Sequence, residues 1–186
     1  MSSLLQGVSL YLIGMMGAGK STVGRLLAKQ LSYGFVDTDD VIAKAAGRSI
    51  NQLFAEEGEA AFRQLESDVL AQVSAHLNLT VATGGGIVLK RENWSYLRHG
   101  LIVWLDVPVE LLYERLAEDT TRPLLQDPDP QGKLRSLLEQ RQALYAQADL
   151  HIIVNEGETP EQIANRVMAA IPSVLKTPAS HQNVEN

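Results

Sequence analysis

Cysteine is missing altogether from the 186 residues, which excludes disulfides and thiolate metal sites and fits a reducing compartment. A long apolar run is missing too. The stretch from Leu4 to Ile13 is broken by Gln6, Gly7 and Ser9, has no Lys or Arg before it, and runs straight into a glycine-rich loop. Neither a signal peptide nor a membrane partner is expected, and the cytoplasm is the expected location. Positive charge is in deficit: 16 Lys and Arg stand against 22 Asp and Glu, a formal net charge of -6. A nucleic-acid binder would show a basic face, so nucleic acid is not an expected partner. An anionic small molecule stays open, because a few arginines in one cleft can dominate the local field. No internal repeat and no low-complexity linker divides the chain.

What is present is the rhythm of a parallel sheet. With 45% hydrophobic and 20% charged residues, the composition is that of an ordinary globular domain, long enough for one core. Apolar runs at Val8–Ile13, Gly34–Val36, Leu79–Ala82, Leu101–Leu105 and His151–Val154 read as strands. Amphipathic stretches at Lys20–Leu31, Asp40–Ala46, Ile50–Glu56, Glu59–Leu77, Val109–Ala117, Lys133–Ala148 and Pro160–Ile171 read as helices. Their alternation predicts a three-layer α/β fold, a five-stranded parallel sheet with helices on both faces. Residues 118–132, rich in Asp, Thr and Pro, are too long for a plain connector and read as a lid. Residues 172–186 carry two prolines and little to bury; a disordered tail is expected there, leaving 1–171 as a single domain.

The first strand ends in Gly14-Met15-Met16-Gly17-Ala18-Gly19-Lys20-Ser21-Thr22, a complete G-x-x-x-x-G-K-S phosphate loop. Glycines let backbone N–H groups turn onto phosphate oxygens, and the helix that follows presents its positive end to the same anion. Lys20 can reach the β- and γ-phosphates, and the Ser21 hydroxyl can ligate Mg²⁺. The alternative, a plain glycine turn, is weak: a random chain of this length matches in under about one case in a hundred. By itself the motif says only nucleoside triphosphate. A GTPase would add a guanine-reading N-K-x-D segment late in the chain, and Val154-Asn155-Glu156-Gly157-Glu158 lacks both the Lys and the spaced Asp.

The second strand ends in Asp37-Thr38-Asp39-Asp40, and ligands of open parallel sheets bind beyond the carboxyl ends of the strands. One acid there can hold a metal-bound water while another meets an acceptor hydroxyl. Helix capping is the competing role, evenly matched for Asp40 and less favoured for Asp37 and Asp39. Asp106, after Leu101–Leu105, is a second possible metal acid, with Asp37 preferred. Arg63 has Glu66 one turn on, and sequence alone favours a solvated surface pair. Arg141 shares the apolar stripe of Leu134, Leu138, Tyr145 and Ala148, so its guanidinium needs either a structural carboxylate or a bound anion. Gly84-Gly85-Gly86 after the third strand permits close approach of a ligand to the backbone, or makes a tight turn. Arg122 is the basic residue of the acidic lid, either a closing arginine over the phosphates or an ordinary loop side chain.

In order and spacing, Gly14–Thr22, Asp37-Thr38-Asp39, Phe62-Arg63 with Glu66, Gly84–Gly86, Arg122-Pro123-Leu124 and Arg141 with Leu144-Tyr145 closely resemble the shikimate kinase family, of the nucleoside-monophosphate-kinase branch of P-loop proteins. The resemblance covers residues 7 to 171. It implies that ATP is the co-substrate, with Gly17, Ala18, Gly19, Lys20, Ser21 and Thr22 on its phosphates. It also implies Mg²⁺ on Ser21 and, through water, on Asp37. Asp39 would hold the 3-hydroxyl of shikimate as base, with Lys20 and Arg122 stabilising the transferring group. Arg63, Arg141 and the glycines 84, 85 and 86 would take the substrate's carboxylate end. Arg115, Thr159 and Pro160 would line the adenine pocket, and a monomer is implied. A gluconate-type kinase is the competing enzyme. A non-catalytic nucleotide-binding regulator would lack the lysine, base or lid arginine, and Lys20, Asp39 and Arg122 are all present.

Overall fold

A computed structural model describes residues 4–118 and 126–175. Five strands, β1 (Leu10–Ile13), β2 (Gly34–Asp37), β3 (Leu79–Ala82), β4 (Leu101–Asp106) and β5 (Leu150–Ile153), pair in parallel in the order β2-β3-β1-β4-β5. Seven α-helices connect and cover them among the described residues: α1 (Lys20–Leu31), α2 (Thr38–Ala46), α3 (Ile50–Ser74), α4 (Arg91–Leu97), α5 (Val109–Ala117), α6 (Pro130–Tyr145) and α7 (Pro160–Ala170). The expected three-layer α/β arrangement is present.

Strand composition follows position in the sheet. β1 is central, and all four of its residues are fully buried, so it reads as a continuous apolar run. At the edge, β5 alternates, with Leu150 and Ile152 inward and His151 and Ile153 outward. Truncating a β1 leucine such as Leu12 to Ala would cost about 2–5 kcal/mol.

Local chemistry explains the helix limits. α3 is broken at Gly58, whose φ of 83° and ψ of 172° no side-chain-bearing residue adopts without strain, so the two separate helical stretches expected there are joined by a kink. Ser49 and Gln52 form a capping box before it. α6 begins three residues before the expected Lys133, because Pro130 occupies its first turn and Asp129 Oδ1 accepts from Gly132 N at 3.0 Å. The end of the expected lid, 130–132, is therefore helix. Ile171–Ser173 form a 3₁₀ turn and Val174 packs against the core, so ordered chain continues beyond the expected boundary at 171. Residues 176–186 of the expected tail lie outside the described residues. So does Arg122, with 119–125 of the expected lid.

α4 has no expected counterpart. It is short, and side-chain bonds rather than periodicity hold it: Asn93 Nδ2 donates to Ile87 O at 2.8 Å and Trp94 Nε1 to Val88 O at 3.1 Å.

Candidate active site

Three strand ends are stitched together beyond the sheet. Thr83 donates through both its backbone N and its Oγ1 to Leu12 O, at 3.2 and 2.8 Å, tying β3 to β1. Gly84 N donates to the fully buried Thr38 Oγ1 at 3.2 Å, tying β3 to the start of α2. The phosphate loop, the Asp37–Asp40 segment and the glycine triplet therefore face one another.

In the phosphate loop Gly14, Gly17 and Gly19 hold positive φ. Gly14 is doubly constrained, since a Cβ there would lie 2.6 Å from Leu105 O. Lys20 is buried and donates through Nζ to Gly14 O and Met15 O, both at 2.7 Å, so its ammonium is held across the mouth of the loop. Arg115 Nη1 donates to Gly17 O and Ala18 O at 3.3 Å, bracing the far side. A cavity of 430 Å³ is lined by residues 16–22 together with Asp37, Asp39 and Asp40.

Asp37, not Asp40, caps α2: its Oδ1 accepts from Asp39 N at 2.9 Å and Asp40 N at 3.4 Å. Its Oδ2 accepts from the Ser21 hydroxyl. The cap thus fixes the carboxylate against the serine of the phosphate loop. This pair offers hard oxygen donors, and too few to enclose a cation, which suits Mg²⁺, an ion that keeps several waters and bridges to phosphates. Among the described residues no group of three or more His, Asp or Glu could hold a metal by itself. Asp106 is engaged elsewhere, with His151 Nε2 at 2.7 Å from its Oδ2, and lines neither this cavity nor the next.

A second cavity, 740 Å³, is lined by Arg63 and Glu66 of α3, Arg141 and Lys133 of α6, Asp39 and Gly84–Gly86. Arg63 and Arg141 therefore converge on one space. The surface pair that sequence favours for Arg63 is not found: its side chain is 14% exposed and Glu66 is 1% exposed, with Nη1 to Oε2 at 3.0 Å. Nη2 reaches Glu59 at 3.3 Å, and the buried Nε of Arg63 has no protein partner. Burial pushes the Glu66 carboxyl above its ordinary value, opposed by Arg63 and reinforced by Asp39.

The glycine triplet is required by space rather than by dihedral angle. None of the three has positive φ. A Cβ on Gly84 would lie 2.6 Å from Glu66 Oε1 and 3.0 Å from Asp39 Oδ1. On Gly85 it would lie 3.3 Å from Met16 N, and on Gly86 2.3 Å from Arg63 Nη1. Each missing side chain makes room for a polar group of the site.

The two cavities share Met16, Asp39, Gly84 and Gly85. An anion in the loop and a ligand between the arginines would meet at Asp39. Thr159 and Pro160 are not brought to either cavity; Thr159 caps α7 in a box with Gln162, and Pro160 opens that helix. Met16, Phe54 and Lys133 line the acid cavity without having been picked out by sequence. Met16 occupies a variable position of the loop motif and gives no signal. Phe54 and Lys133 could have been found only by placing their helices on the same cavity.

A 2-3-1-4-5 parallel sheet, a lysine-closed phosphate loop after its first strand and an acceptor cavity against that loop define a P-loop kinase of small molecules. The sequence model of the shikimate kinase family matches residues 16–172. A shikimate kinase of Nostoc punctiforme is 77% identical over 181 residues, 97% of this chain and 100% of the relative. One from Microcystis aeruginosa is 55% identical over 172 residues, 92% of this chain and 90% of the relative. The solved shikimate kinase from Acinetobacter baumannii in complex with shikimate superposes with a TM-score of 0.87 at 39% identity, covering 92% of this chain and 97% of that one. The chain belongs to the shikimate kinase family.

Proposed function

We propose that the chain transfers the γ-phosphoryl group of ATP to the 3-hydroxyl of shikimate, giving ADP and shikimate 3-phosphate. One observation carries this reading: the phosphate cavity and the two-arginine cavity share a wall at Asp39. The relative that carries shikimate in its solved structure supports the choice of acid.

The substrate's carboxylate lies between the guanidinium groups of Arg63 and Arg141, which line the same cavity. Gly84 N is already committed to Thr38, so the backbone donors toward the carboxylate are those of Gly85 and Gly86. Asp39 holds the acceptor hydroxyl. The hydroxyl oxygen attacks the γ-phosphorus, the bond from that phosphorus to the bridging oxygen breaks, ADP leaves with the electron pair, and the hydroxyl proton passes to Asp39. Lys20 neutralises charge on the phosphate oxygens, and the loop N–H groups of residues 17–22 hold the nucleotide. Ser21, with Asp37 behind it through water, would hold Mg²⁺, which supplies charge neutralisation on the phosphates when bound. Arg122 takes the same electrostatic role from the lid, and the adenine lies outside the two cavities, beyond Arg115, which braces the phosphate loop, with Thr159 and Pro160 at the start of α7 as its other wall.

A coupled ADP-release assay across a panel of hydroxy acids tests the substrate, with turnover on shikimate expected to exceed that on gluconate and quinate-like acids. Asp39→Asn is expected to bind ATP normally and lose about 10²-fold or more in kcat. No turnover on shikimate would sink the assignment, and near-normal kcat in Asp39→Asn would remove its role as base.

A further inference from the structure

Arg141 and Tyr145 lie one turn apart on the same face of α6, and both meet Gly85. A Cβ on Gly85 would stand 3.5 Å from Arg141 Nη1, 3.5 Å from Gly14 O and 3.3 Å from Met16 N, so this glycine is wedged between the guanidinium and the phosphate loop. The Tyr145 side chain is fully buried, and its hydroxyl donates to Gly85 O at 2.6 Å. Met15 Sδ of the phosphate loop lies 3.7 Å from the Tyr145 hydroxyl oxygen. The ring is supported by Trp104, with centroids 5.8 Å apart and planes inclined by 29°. One hydroxyl therefore touches the helix end, the glycine turn and the phosphate loop, where the nucleotide half of the site joins the acid half.

We infer that Tyr145 is a positioning residue whose hydroxyl pins the glycine turn to the end of α6 and so sets the reach of Arg141 to the substrate's carboxylate. It touches no reacting atom. A tyrosine that only filled the core would contribute through its ring, and removal of the hydroxyl would be felt as lost stability alone. A tyrosine that sets Arg141 must be felt in the acid's affinity and not in the nucleotide's. The inference rests on Arg141 gripping the carboxylate.

Tyr145→Phe keeps the ring on Trp104 and removes only the hydroxyl. At saturating ATP it is expected to raise KM for shikimate about 5- to 10-fold, the loss of one well-placed hydrogen bond. The Kd of nucleotide measured without acid is expected to stay within twofold. In an Arg141→Ala background, Tyr145→Phe is expected to change KM for shikimate no further, because the group it positions is gone. An unchanged KM in Tyr145→Phe alone, with Arg141→Ala still raising it, overturns the inference and leaves the carboxylate clamp standing. An Arg141→Ala enzyme with wild-type KM overturns both. An equal shift in nucleotide Kd, or full additivity of the two substitutions, also overturns the inference, since either would place the effect outside Arg141.

Discussion

Gly86→Ala isolates the spatial argument for the glycine triplet. Gly86 sits at φ -93° and ψ 5°, a conformation open to alanine, so the substitution introduces no backbone strain. All of its effect falls on Arg63. The added methyl carbon would lie 2.3 Å from Nη1, 2.4 Å from Cζ and 2.5 Å from Nη2, inside contact distance of the whole guanidinium. Arg63 must swing away, giving up its 3.0 Å bond to Glu66 and its place in the acid cavity. A charge-assisted hydrogen bond to the ligand is worth about 1.5–3 kcal/mol. At 1.4 kcal/mol per decade that is roughly a 10- to 100-fold rise in KM for shikimate, with KM for ATP unchanged. Alanine reduces the freedom of the unfolded chain by about 0.4–1 kcal/mol, which offsets only part of the stability lost with the buried Arg63–Glu66 bond, so the thermal midpoint should fall by a few degrees. Steady-state ADP release with shikimate varied at saturating ATP reads the first effect, and scanning calorimetry reads the second. A KM for shikimate within twofold of wild type would refute the claim that this glycine exists to admit Arg63.

Glu66→Gln should separate stability from activity. The buried carboxyl titrates above its unfolded value of 4.5, so its favourable contribution is full below 4.5 and is lost as pH rises through the folded value. Urea midpoints of the variant relative to wild type should therefore improve between pH 4 and pH 8 while shikimate affinity falls; a relative loss with rising pH would show the sign to be wrong. Ser21→Ala should raise the Mg²⁺ concentration needed for half-maximal rate several-fold without changing the pH 7 affinity for shikimate in the absence of nucleotide, read by calorimetry. Equal Mg²⁺ curves for the two proteins would take Ser21 out of the metal site.

The parts of this molecule that were legible in its sequence are those set by backbone requirements or by periodicity. Gly14–Thr22 had to be a phosphate loop because glycine and lysine at that spacing answer one steric and electrostatic demand. α1 and α5 match their expected limits residue for residue, since amphipathic period and core contact agree there. What stayed hidden depends on which distant groups share a space. Burial of the Arg63–Glu66 pair cannot be read from an i, i+3 spacing that looks the same on a surface. Sequence favours Asp40 over Asp37 as a cap of α2, whereas Asp37 caps it, because Thr38, fully buried beneath Gly84, looks in sequence like an ordinary strand-end residue. α4 has little periodicity, and its anchors, the Asn93 and Trp94 bonds to Ile87 and Val88, are local bonds that no hydrophobic pattern announces.

Strand order explains why these groups end up together. With β3 between β1 and β2, the segment leaving β3 is flanked by the segments leaving the other two, and a Cβ on Gly84 or Gly86 would displace the Glu66 or Arg63 side chain packed against it. Polar side chains from α3 and α6 then reach the same junction from outside the sheet. Their formal charges are matched before any ligand arrives: Arg63, Lys133 and Arg141 face three carboxyls, Asp39, Glu66 and Asp127. A site so balanced holds a small anion through directed hydrogen bonds and fixed positions more than through excess positive charge. That fits a phosphoryl transfer in which Asp39 must remain able to accept a proton beside an incoming triphosphate. A richly cationic cavity would grip the acid harder and would lower the basicity of the one carboxylate the chemistry uses.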